Sequence, residues 1–253
     1  MRDPRSILIT GASSGIGAAL ARLYATNGVM LALGGRDAGR LAKVAADCRS
    51  AGAEVSEAIV DVADRAAMEG WVLEADNHRP IDLVIANAGV SAGTADGEEK
   101  AEQLRAVFAT NVDGVFNTVL PLLPAMRQRR RGQIALMSSL ASFRGFPGAP
   151  GYSASKAALR VWGEGLRGDL HQSGITVSVI CPGFVTSPMT SDNPFPMPML
   201  MPAERAAHII RQGLATGRAR IAFPLAMYAG AWLLGALPPA LTDSWMRRLP
   251  RKR

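Results

Sequence analysis

Tyr152 and Lys156 stand four residues apart in a stretch with helical periodicity, so their side chains share one face of the predicted helix. A free phenol has a pKa of about 10 and is a weak acid–base catalyst at neutral pH, but a nearby ammonium group favours the phenolate and lowers that pKa. Ser139, at the end of a predicted strand, adds a hydroxyl that can hydrogen-bond a substrate oxygen. The three residues predict proton transfer; a Tyr–Lys pair exposed on an ordinary helix is the alternative.

A glycine-rich turn follows the first predicted strand and precedes a helix. Its sequence is Gly11-Ala12-Ser13-Ser14-Gly15-Ile16-Gly17. Glycine lets the backbone turn tightly and approach a pyrophosphate, and a helix N-terminus presents free N–H groups and a positive dipole end to an anion. The two serines can add hydroxyl contacts. The turn predicts dinucleotide binding, and a turn that only connects strand to helix is the alternative.

Short apolar strands and longer helices alternate along the chain and must position these residues. The predicted strands, each expected to be buried on both faces, are Ser6–Thr10, Val29–Leu33, Val55–Val60, Leu83–Ala86, Ile134–Met137 and Thr176–Cys181. The predicted helices are Ile16–Asn27, Arg40–Ala51, Ala63–Asp76, Glu98–Arg130 and Tyr152–Ser173. This alternation predicts one α/β domain over residues 1–253: a doubly wound Rossmann-type parallel sheet of about seven strands, with helices on both faces. Ligands of such sheets bind at the carboxyl ends of the strands.

Composition narrows the classes of function. The chain has 253 residues, 48% of them hydrophobic, as expected for one globular domain. Cys48 and Cys181 are expected to be buried, reduced thiols of a cytoplasmic protein, and the three isolated histidines predict no metal site. The net charge of +7 comes largely from two basic runs without interleaved aromatic residues, which indicates solvated surface rather than nucleic-acid binding.

In combination these motifs resemble the classical short-chain dehydrogenase/reductase family, over roughly residues 6–224. The matching residues follow the family's order and spacing, and they are Thr10 to Gly17, Asp61-Val62, Asn87-Ala88-Gly89, Asn111, Ser139, Tyr152-x3-Lys156 and Pro182-Gly183. The resemblance implies an NAD(P)-dependent oxidoreductase that interconverts a ketone or aldehyde and an alcohol.

The resemblance also implies a role for each catalytic position. Tyr152 would give a proton to the forming alkoxide, or remove one in oxidation. Lys156 would lower the pKa of Tyr152 and hold the ribose of the nicotinamide. Ser139 would orient the carbonyl, and Asn111 would hold a water for proton relay. The alternative for Asn111 is a residue that only marks a helix kink.

The expected cofactor contacts form one set around the strand ends. They are Gly11, Ser13, Ser14, Gly15, Ile16, Gly17, Arg36, Asp61, Val62, Asn87, Ala88, Gly89, Tyr152, Lys156, Pro182, Gly183, Thr186 and Ser187. Asp61 would contact the adenine amino group, or only cap the next helix. The family commonly has threonine five residues after the proline of the Pro-Gly pair; here that residue is Ser187 and Thr186 precedes it, so either hydroxyl could meet the nicotinamide amide.

The residues after the second predicted strand favour NADP(H), with NAD(H) also possible. Gly35 occupies the place of the aspartate of NAD-preferring members of the family, and Arg36 resembles the arginine that pairs with the 2′-phosphate. Guanidinium–phosphate pairs are bidentate and strong. In the alternative, Arg36 is a solvated loop residue and Asp37 caps the next helix.

The segment 187–202 is expected to form a substrate lid. Its apolar residues are Met189, Phe195, Met197, Met199, Leu200 and Met201, and its only charge is Asp192. Methionine side chains form adaptable apolar surface, so we expect a lipophilic ketone or alcohol as substrate. Alternatively, the methionines only pack the lid against the core.

The C-terminal extension, residues 221–253, is apolar and then basic. It has no charged residue from Ile221 to Thr242, and Arg247, Arg248, Arg251, Lys252 and Arg253 follow. Pro224, Pro238 and Pro239 disfavour a membrane span, and the segment could instead lie on an anionic membrane surface, contact a partner subunit or cover the pocket.

Family resemblance further implies a homodimer or homotetramer through the helices that contain Asn111 and Tyr152. Two other classes of function stay open: a nucleotide-binding regulatory protein without turnover, and a membrane-surface scaffold. The complete set of Asn111, Ser139, Tyr152 and Lys156 argues against the first, because a sensor has no need of a proton donor.

Overall fold

The computed structural model describes residues 3–91, 98–191 and 196–248. Its centre is a parallel sheet of seven strands in the order β3-β2-β1-β4-β5-β6-β7. The strands are β1 (Ser6–Thr10), β2 (Met30–Gly35), β3 (Glu54–Ile59), β4 (Leu83–Ala86), β5 (Gly132–Met137), β6 (Ile175–Pro182) and β7 (Arg220–Phe223). The doubly wound sheet predicted from the sequence is confirmed.

Helices cover both faces of the sheet. They are α1 (Gly15–Tyr24), α2 (Ala38–Ser50), α3 (Arg65–His78), α4 (Ala101–Phe108), α5 (Gly114–Val119), α6 (Leu123–Gln128), α7 (Pro150–Leu170), α8 (Pro188–Ser191), α9 (Ala203–Ala215), α10 (Leu225–Ala236) and α11 (Pro239–Met246). One apolar core lies under α1, α2 and α9, and includes Leu20 and Ile210. The other lies under α3, α5 and α7, and includes Met68 and Leu159.

The prediction that the third strand is buried on both faces is wrong. β3 pairs only with β2 and forms an edge of the sheet. Four of its six residues, including Glu54, Glu57 and Ile59, are exposed. Because β3 carries charged and polar residues, the edge is where it can be solvated.

The predicted single helix from Glu98 to Arg130 is also wrong in detail. Helical backbone runs from Ala101 to Gln128, but a π-helical turn over Ala109–Asp113 and a 3₁₀ turn over Leu120–Leu122 interrupt its α-helical hydrogen bonding. Prolines in the 3₁₀ turn and at the start of α6 lack the N–H that an α-helix needs. The run is long and apolar enough to cross a membrane by length and composition alone, and 44% of its most apolar stretch is buried within the protein.

Candidate active site

The candidate site lies at the carboxyl ends of the central strands, as the sequence predicts. β1 ends at the glycine turn, β4 at Asn87, β5 just before Ser139 and β6 just before Gly183. Parallel strands end at the same edge of the sheet, so loops that are far apart in sequence meet there.

The glycine turn has no space for side chains. Gly11 and Gly15 have φ of +65° and +53°, in the left-handed region that favours glycine. A Cβ added to Gly17 would lie 2.3 Å from the Gly11 carbonyl oxygen and 2.6 Å from Asn87 Nδ2. The turn therefore needs glycine at these positions to keep its compact shape.

Asn87 holds the glycine turn from the neighbouring strand. Its Nδ2 donates hydrogen bonds to the carbonyl oxygens of Thr10, at 3.0 Å, and Gly11, at 3.2 Å. The Thr10 hydroxyl accepts from the backbone N–H groups of Asn87, at 3.1 Å, and Ala88, at 3.2 Å. The Asn87 side chain thus shapes the turn, and Thr10 does so from the other side.

The start of α1 suits an anion. Ser14 is the N-cap residue, but its side chain makes no capping hydrogen bond, so the first-turn N–H groups and the helix dipole are directed at the turn. A groove of about 570 Å³ opens beside it. Its lining includes Ser13, Ser14, Gly15, Thr186, Arg40 and Lys43. The turn thus fits the pyrophosphate of a dinucleotide, with basic side chains nearby.

Tyr152 and Ser139 face each other across the strand ends. Tyr152 lies in the first turn of α7, which begins at Pro150, and its side chain is half-buried. Ser139 caps the 3₁₀ turn Leu140–Ser142: its Oγ accepts from the Ala141 N–H at 3.1 Å and also hydrogen-bonds Tyr152. The hydroxyl and the phenol are therefore within reach of one substrate oxygen.

Lys156 is buried one turn further along α7. Its Nζ donates to the Met137 carbonyl at 2.9 Å and lies 5.8 Å from the centre of the Tyr152 ring. A Cβ added to Gly89 would be 3.2 Å from this Nζ and 3.1 Å from Asn111 Oδ1. Gly89 thus lets the ammonium and the Asn111 amide approach the end of β4.

The pKa values differ from the simple sequence expectation. Burial raises the pKa of Tyr152, and the hydrogen bond with Ser139 only partly opposes that rise. Burial also lowers the pKa of Lys156 to about 8. The expected lowering of the Tyr152 pKa by Lys156 is not seen in this structure, where burial of the phenol is the largest influence on that pKa.

Asn111 lies in the π-helical turn, fully buried. Its Oδ1 accepts from the Val90 N–H at 2.8 Å, and its Nδ2 donates to the Val90 carbonyl at 3.0 Å and to the Ser155 hydroxyl at 3.0 Å. The widened turn carries Asn111 into contact with the loop after β4 and with α7. Asn111 therefore marks a helix distortion and also adjoins the candidate site.

Arg36 and Asp61, the predicted contacts of the adenosine, are close together. Arg36 Nη1 lies 3.5 Å from Asp61 Oδ2, and both side chains are exposed. Asp37 caps α2 through the Arg40 N–H, as the alternative expectation had it. Asp64, and not Asp61, is the N-cap of α3. The Val62 side chain is buried against Gly114, so it faces the core and not the cleft.

The residues after β6 close the other end of the cleft. A Cβ added to Gly183 would lie 3.3 Å from Met227 Sδ and 3.5 Å from Leu140 Cδ1. A Cβ added to Gly15 would lie 3.0 Å from the Ser187 Cβ, and the Ser187 hydroxyl is 3.2 Å from that of Thr190. Thr186 is exposed in the groove. Both hydroxyl residues thus lie at the glycine turn.

At the base of the segment predicted to be a lid, Val185 and Met201 form a β-bridge. Met201 is buried, whereas Met189, Met199 and Leu200 are exposed. The predicted lid residues Asp192 and Phe195 lie outside the described residues. Of the basic C-terminal tail, Arg251, Lys252 and Arg253 lie outside them as well.

Several residues outside the predicted site support it; the sequence offered Ser138 only as a hydroxyl next to Ser139, and neither Ser155 nor Phe143 was predicted. Ser155 holds Asn111, and the Ser138 hydroxyl donates to the Lys156 carbonyl at 2.7 Å. Phe143, in the loop after Ser139, is contacted by the guanidinium groups of Arg160, at 4.9 Å, and Arg220, at 5.2 Å. For Ser155 and Ser138, the available signal was a serine next to a predicted catalytic residue. No such signal existed for Phe143, because its contacts join segments that are separated in sequence.

Similarity to known proteins identifies the family of the chain. The family model described as short chain dehydrogenase matches residues 5–195. This chain belongs to the short-chain dehydrogenase family. It is an oxidoreductase of the kind that acts on CH–OH and C=O groups.

Relatives of this short-chain dehydrogenase are similar along most of their length. An uncharacterized oxidoreductase of Myxococcus xanthus is 39% identical over 97% of both chains. A putative ketoacyl reductase of the granaticin polyketide synthase of Streptomyces violaceoruber is 38% identical over 72% of this chain and 68% of its own. A short chain dehydrogenase/reductase from Burkholderia phymatum, solved in complex with NAD, is 28% identical, with a TM-score of 0.83 over 100% of this chain and 98% of its own.

Proposed function

We propose that this short-chain dehydrogenase interconverts a lipophilic ketone and its alcohol with NADP(H), and that Tyr152 is its general acid and base. The observation that carries the proposal is the convergence of Tyr152, Ser139 and Lys156 beside a glycine turn shaped for a pyrophosphate. A nucleotide-binding protein without turnover would need the turn but not the phenol.

The glycine turn and Arg36 would hold the dinucleotide, and its nicotinamide would supply the hydride for reduction or accept it in oxidation. In reduction, the Tyr152 hydroxyl gives its proton to the carbonyl oxygen, which Ser139 holds by a hydrogen bond. The raised pKa of Tyr152 keeps the phenol protonated and ready to donate. Lys156 stabilises the phenolate that remains. A relay water returns the proton to the phenolate, and Asn111 would hold that water through an acceptor oxygen, since both hydrogens of its amide are donated to Val90 and Ser155. In oxidation the same groups act in reverse.

Arg36 supports the preference for NADP(H). It is exposed at the end of β2, and its only ion pair in the described chain is the exposed contact with Asp61, so it can turn to a 2′-phosphate. Gly35 offers no carboxylate to repel that phosphate. We propose that NAD(H) is the weaker cofactor, although the Burkholderia phymatum relative was solved with NAD.

The wall of the cleft supports a lipophilic substrate. Leu140 and Met227 flank Gly183, and the described lid residues Met189, Met199 and Leu200 present apolar surface. Because the Streptomyces violaceoruber relative is named a putative ketoacyl reductase, we favour a ketone on an acyl chain. Turnover confined to small polar ketones would contradict this.

Substitution of Tyr152 by Phe tests the catalytic proposal. Loss of the proton donor should lower turnover by about a thousandfold, within the range for general acid catalysis, while NADPH binding is kept. Tyr24→Phe is the matched control, since Tyr24 is buried beside Arg211 away from the strand ends. Ketones graded by chain length, followed by NADPH absorbance, give the activity. Full activity of Tyr152→Phe would favour a regulatory binder.

Substitution of Arg36 by Ala tests the cofactor proposal. The KM for NADPH should rise at least about tenfold, the loss of one charge-assisted contact, while the KM for NADH stays the same. Arg49→Ala is a suitable control, because Arg49 pairs with Glu57 at the other end of α2. A preference of the wild-type enzyme for NADH would rule out the proposal.

We also propose that the enzyme is a homodimer or homotetramer of the cytoplasm. The exposed apolar residues Leu104, Leu120 and Val161 lie on the α4–α6 run and on α7, the helices expected to form the contact. Both cysteines are buried free thiols, which suits a reducing compartment. Light scattering of Val161→Glu against wild type tests the contact, and an unchanged mass would argue against it.

A further inference from the structure

The C-terminal helix pair, α10 and α11, presents an apolar stripe to solvent. The stripe consists of Leu225, Trp232, Leu233, Leu237, Leu241 and Trp245. Leu225 is 75% exposed and Leu241 is 70% exposed. Scattered exposed leucines are normal on proteins, but six large exposed apolar side chains on two consecutive helices and the turn between them indicate an interaction surface.

The inner side of the same helices is firmly anchored. Ala231 is buried, and Tyr228 packs edge-on against Phe143 at 5.4 Å and accepts a hydrogen bond from Arg220. Arg144 binds Asp243 of α11 at 3.0 Å. Contacts on the inner face of α10 therefore keep the apolar stripe directed at solvent. An ordinary surface helix would carry polar residues on that outer face.

Length argues against a membrane span. α10 has 12 residues, ends at Ala236 and is followed by Leu237-Pro238; a helix of 12 residues is about 18 Å long, well short of the roughly 30 Å hydrocarbon core. Two short helices with exposed tryptophans suit the interfacial region of a bilayer, where tryptophan side chains are favoured.

The charged residues next to the stripe indicate what binds this surface. From Ile221 to Met246 the one charged residue is Asp243, and Arg144 neutralises it. Arg247 and Arg248 follow at the end of α11 and are exposed. A second copy of the chain would bring the same arginines and no free carboxylate in these helices, whereas anionic lipid headgroups provide the opposite charge.

We propose that α10 and α11 bind the surface of an anionic membrane, with the stripe in the headgroup boundary and Arg247 and Arg248 on the phosphates. Met227 of α10 flanks Gly183, and Gly235 touches the Phe143 carbonyl, so the bound surface adjoins the substrate end of the cleft. If the substrate is lipophilic, as proposed above, it would enter from the lipid; the binding itself does not depend on that.

Vesicle co-sedimentation tests the membrane surface. Without any substrate, the full-length protein should bind phosphatidylglycerol/phosphatidylcholine vesicles at least about tenfold more tightly than phosphatidylcholine vesicles, and high salt should weaken the binding. Trp232→Ser/Leu233→Ser should lose binding to both, and Arg247→Gln/Arg248→Gln should lose the preference for anionic vesicles. Leu73→Ser, an exposed leucine on α3, is the control and should bind as wild type does.

Two results would overturn the proposal. The first is an absence of binding to anionic vesicles by the wild-type protein. The second is a wild-type oligomer that dissociates in the Trp232→Ser/Leu233→Ser variant while vesicle binding is unchanged, which would make the stripe a contact between copies. Activity of this variant toward a water-soluble ketone should stay at the wild-type level, so loss of vesicle binding is distinguishable from failure of the proposed reaction.

Discussion

The Asn111 amide donates a hydrogen bond to the Ser155 hydroxyl, which in turn donates to the Tyr152 carbonyl at 2.8 Å. The π-helical turn after α4 is thus connected to the first turn of α7. Through its two bonds to Val90, the same amide also fixes the loop after β4. One buried side chain therefore sets the relative position of three segments around the proposed proton donor.

Ser155→Ala should weaken this connection. It removes one acceptor from a buried amide, so the free energy of unfolding should fall by about 1–2 kcal/mol and kcat should fall with it. Urea unfolding and steady-state kinetics measure both effects. Ser178→Ala is the matched control: among the described residues its buried hydroxyl has no hydrogen-bond partner, so this variant should be as stable as wild type or more so. Equal losses in both variants would contradict the assigned role of Ser155.

Gly17→Ala should disrupt the glycine turn. The new methyl group would collide with the Gly11 carbonyl oxygen, which cannot move without opening the turn. We expect a loss of about 2 kcal/mol or more in unfolding free energy and a large loss of NADPH affinity, measured by calorimetry. Gly165→Ala on α7 meets nothing within 4 Å and should stabilise the protein by about 0.5–1 kcal/mol. Retained NADPH affinity in Gly17→Ala would argue against this site.

Lys156 predicts a pH dependence of stability. Its pKa is about 8 in the folded protein, against 10.5 for an ordinary lysine, so between these pH values the unfolded chain holds the extra proton. Stability from this group should therefore rise as the pH rises from about 8 to 10.5, by up to about 3 kcal/mol. Lys156→Met lacks the titration. Urea unfolding of both proteins from pH 7 to 10 measures the effect. As the pH rises, the unfolding free energy of wild type should increase relative to that of Lys156→Met. A difference that does not change with pH would contradict the low pKa of Lys156.

Gly235→Ala should separate α10 from the loop after Ser139. Its Cβ would lie 2.2 Å from the Phe143 carbonyl oxygen, so the helix or the loop must shift. We expect a lower melting temperature and a higher KM for ketones, because the shifted wall includes Met227. Gly230→Ala, on the same helix, meets nothing within 4 Å and should be slightly stabilising. Identical KM values in the two variants would show that α10 does not shape the substrate end.

Most of the fold could be predicted because it follows from local patterns. Buried parallel strands are continuous apolar runs, and β1, β4 and β5 each lie within a residue or two of their predicted bounds. β7 was missed because it has only four residues and begins with Arg220. α10 was missed because it is apolar on all sides and lacks the amphipathic period by which a surface helix is found.

The candidate site, too, has residues that could be predicted from the sequence and residues that could not. The glycines, Ser139, Tyr152 and Lys156 could be found because their spacing along the chain is fixed by one turn or one helix. The contacts of Ser155 with Asn111, and of Arg160 and Arg220 with Phe143, join segments far apart in sequence. Such contacts depend on how helices pack, and a single sequence does not encode packing in any short pattern. The pKa values of Tyr152 and Lys156 depend on burial for the same reason.

The exposed charges of β3 protect the open edge of the sheet. Glu54 pairs with His78, at 2.7 Å, and Glu57 with Arg49, at 2.8 Å, beside backbone groups that no other strand of the described residues covers. A strand from another molecule could pair there only by crowding these side chains, a cost that natural edge strands commonly exploit. The polar residues that keep β3 at the edge of the sheet thus help the folded enzyme resist edge-to-edge aggregation.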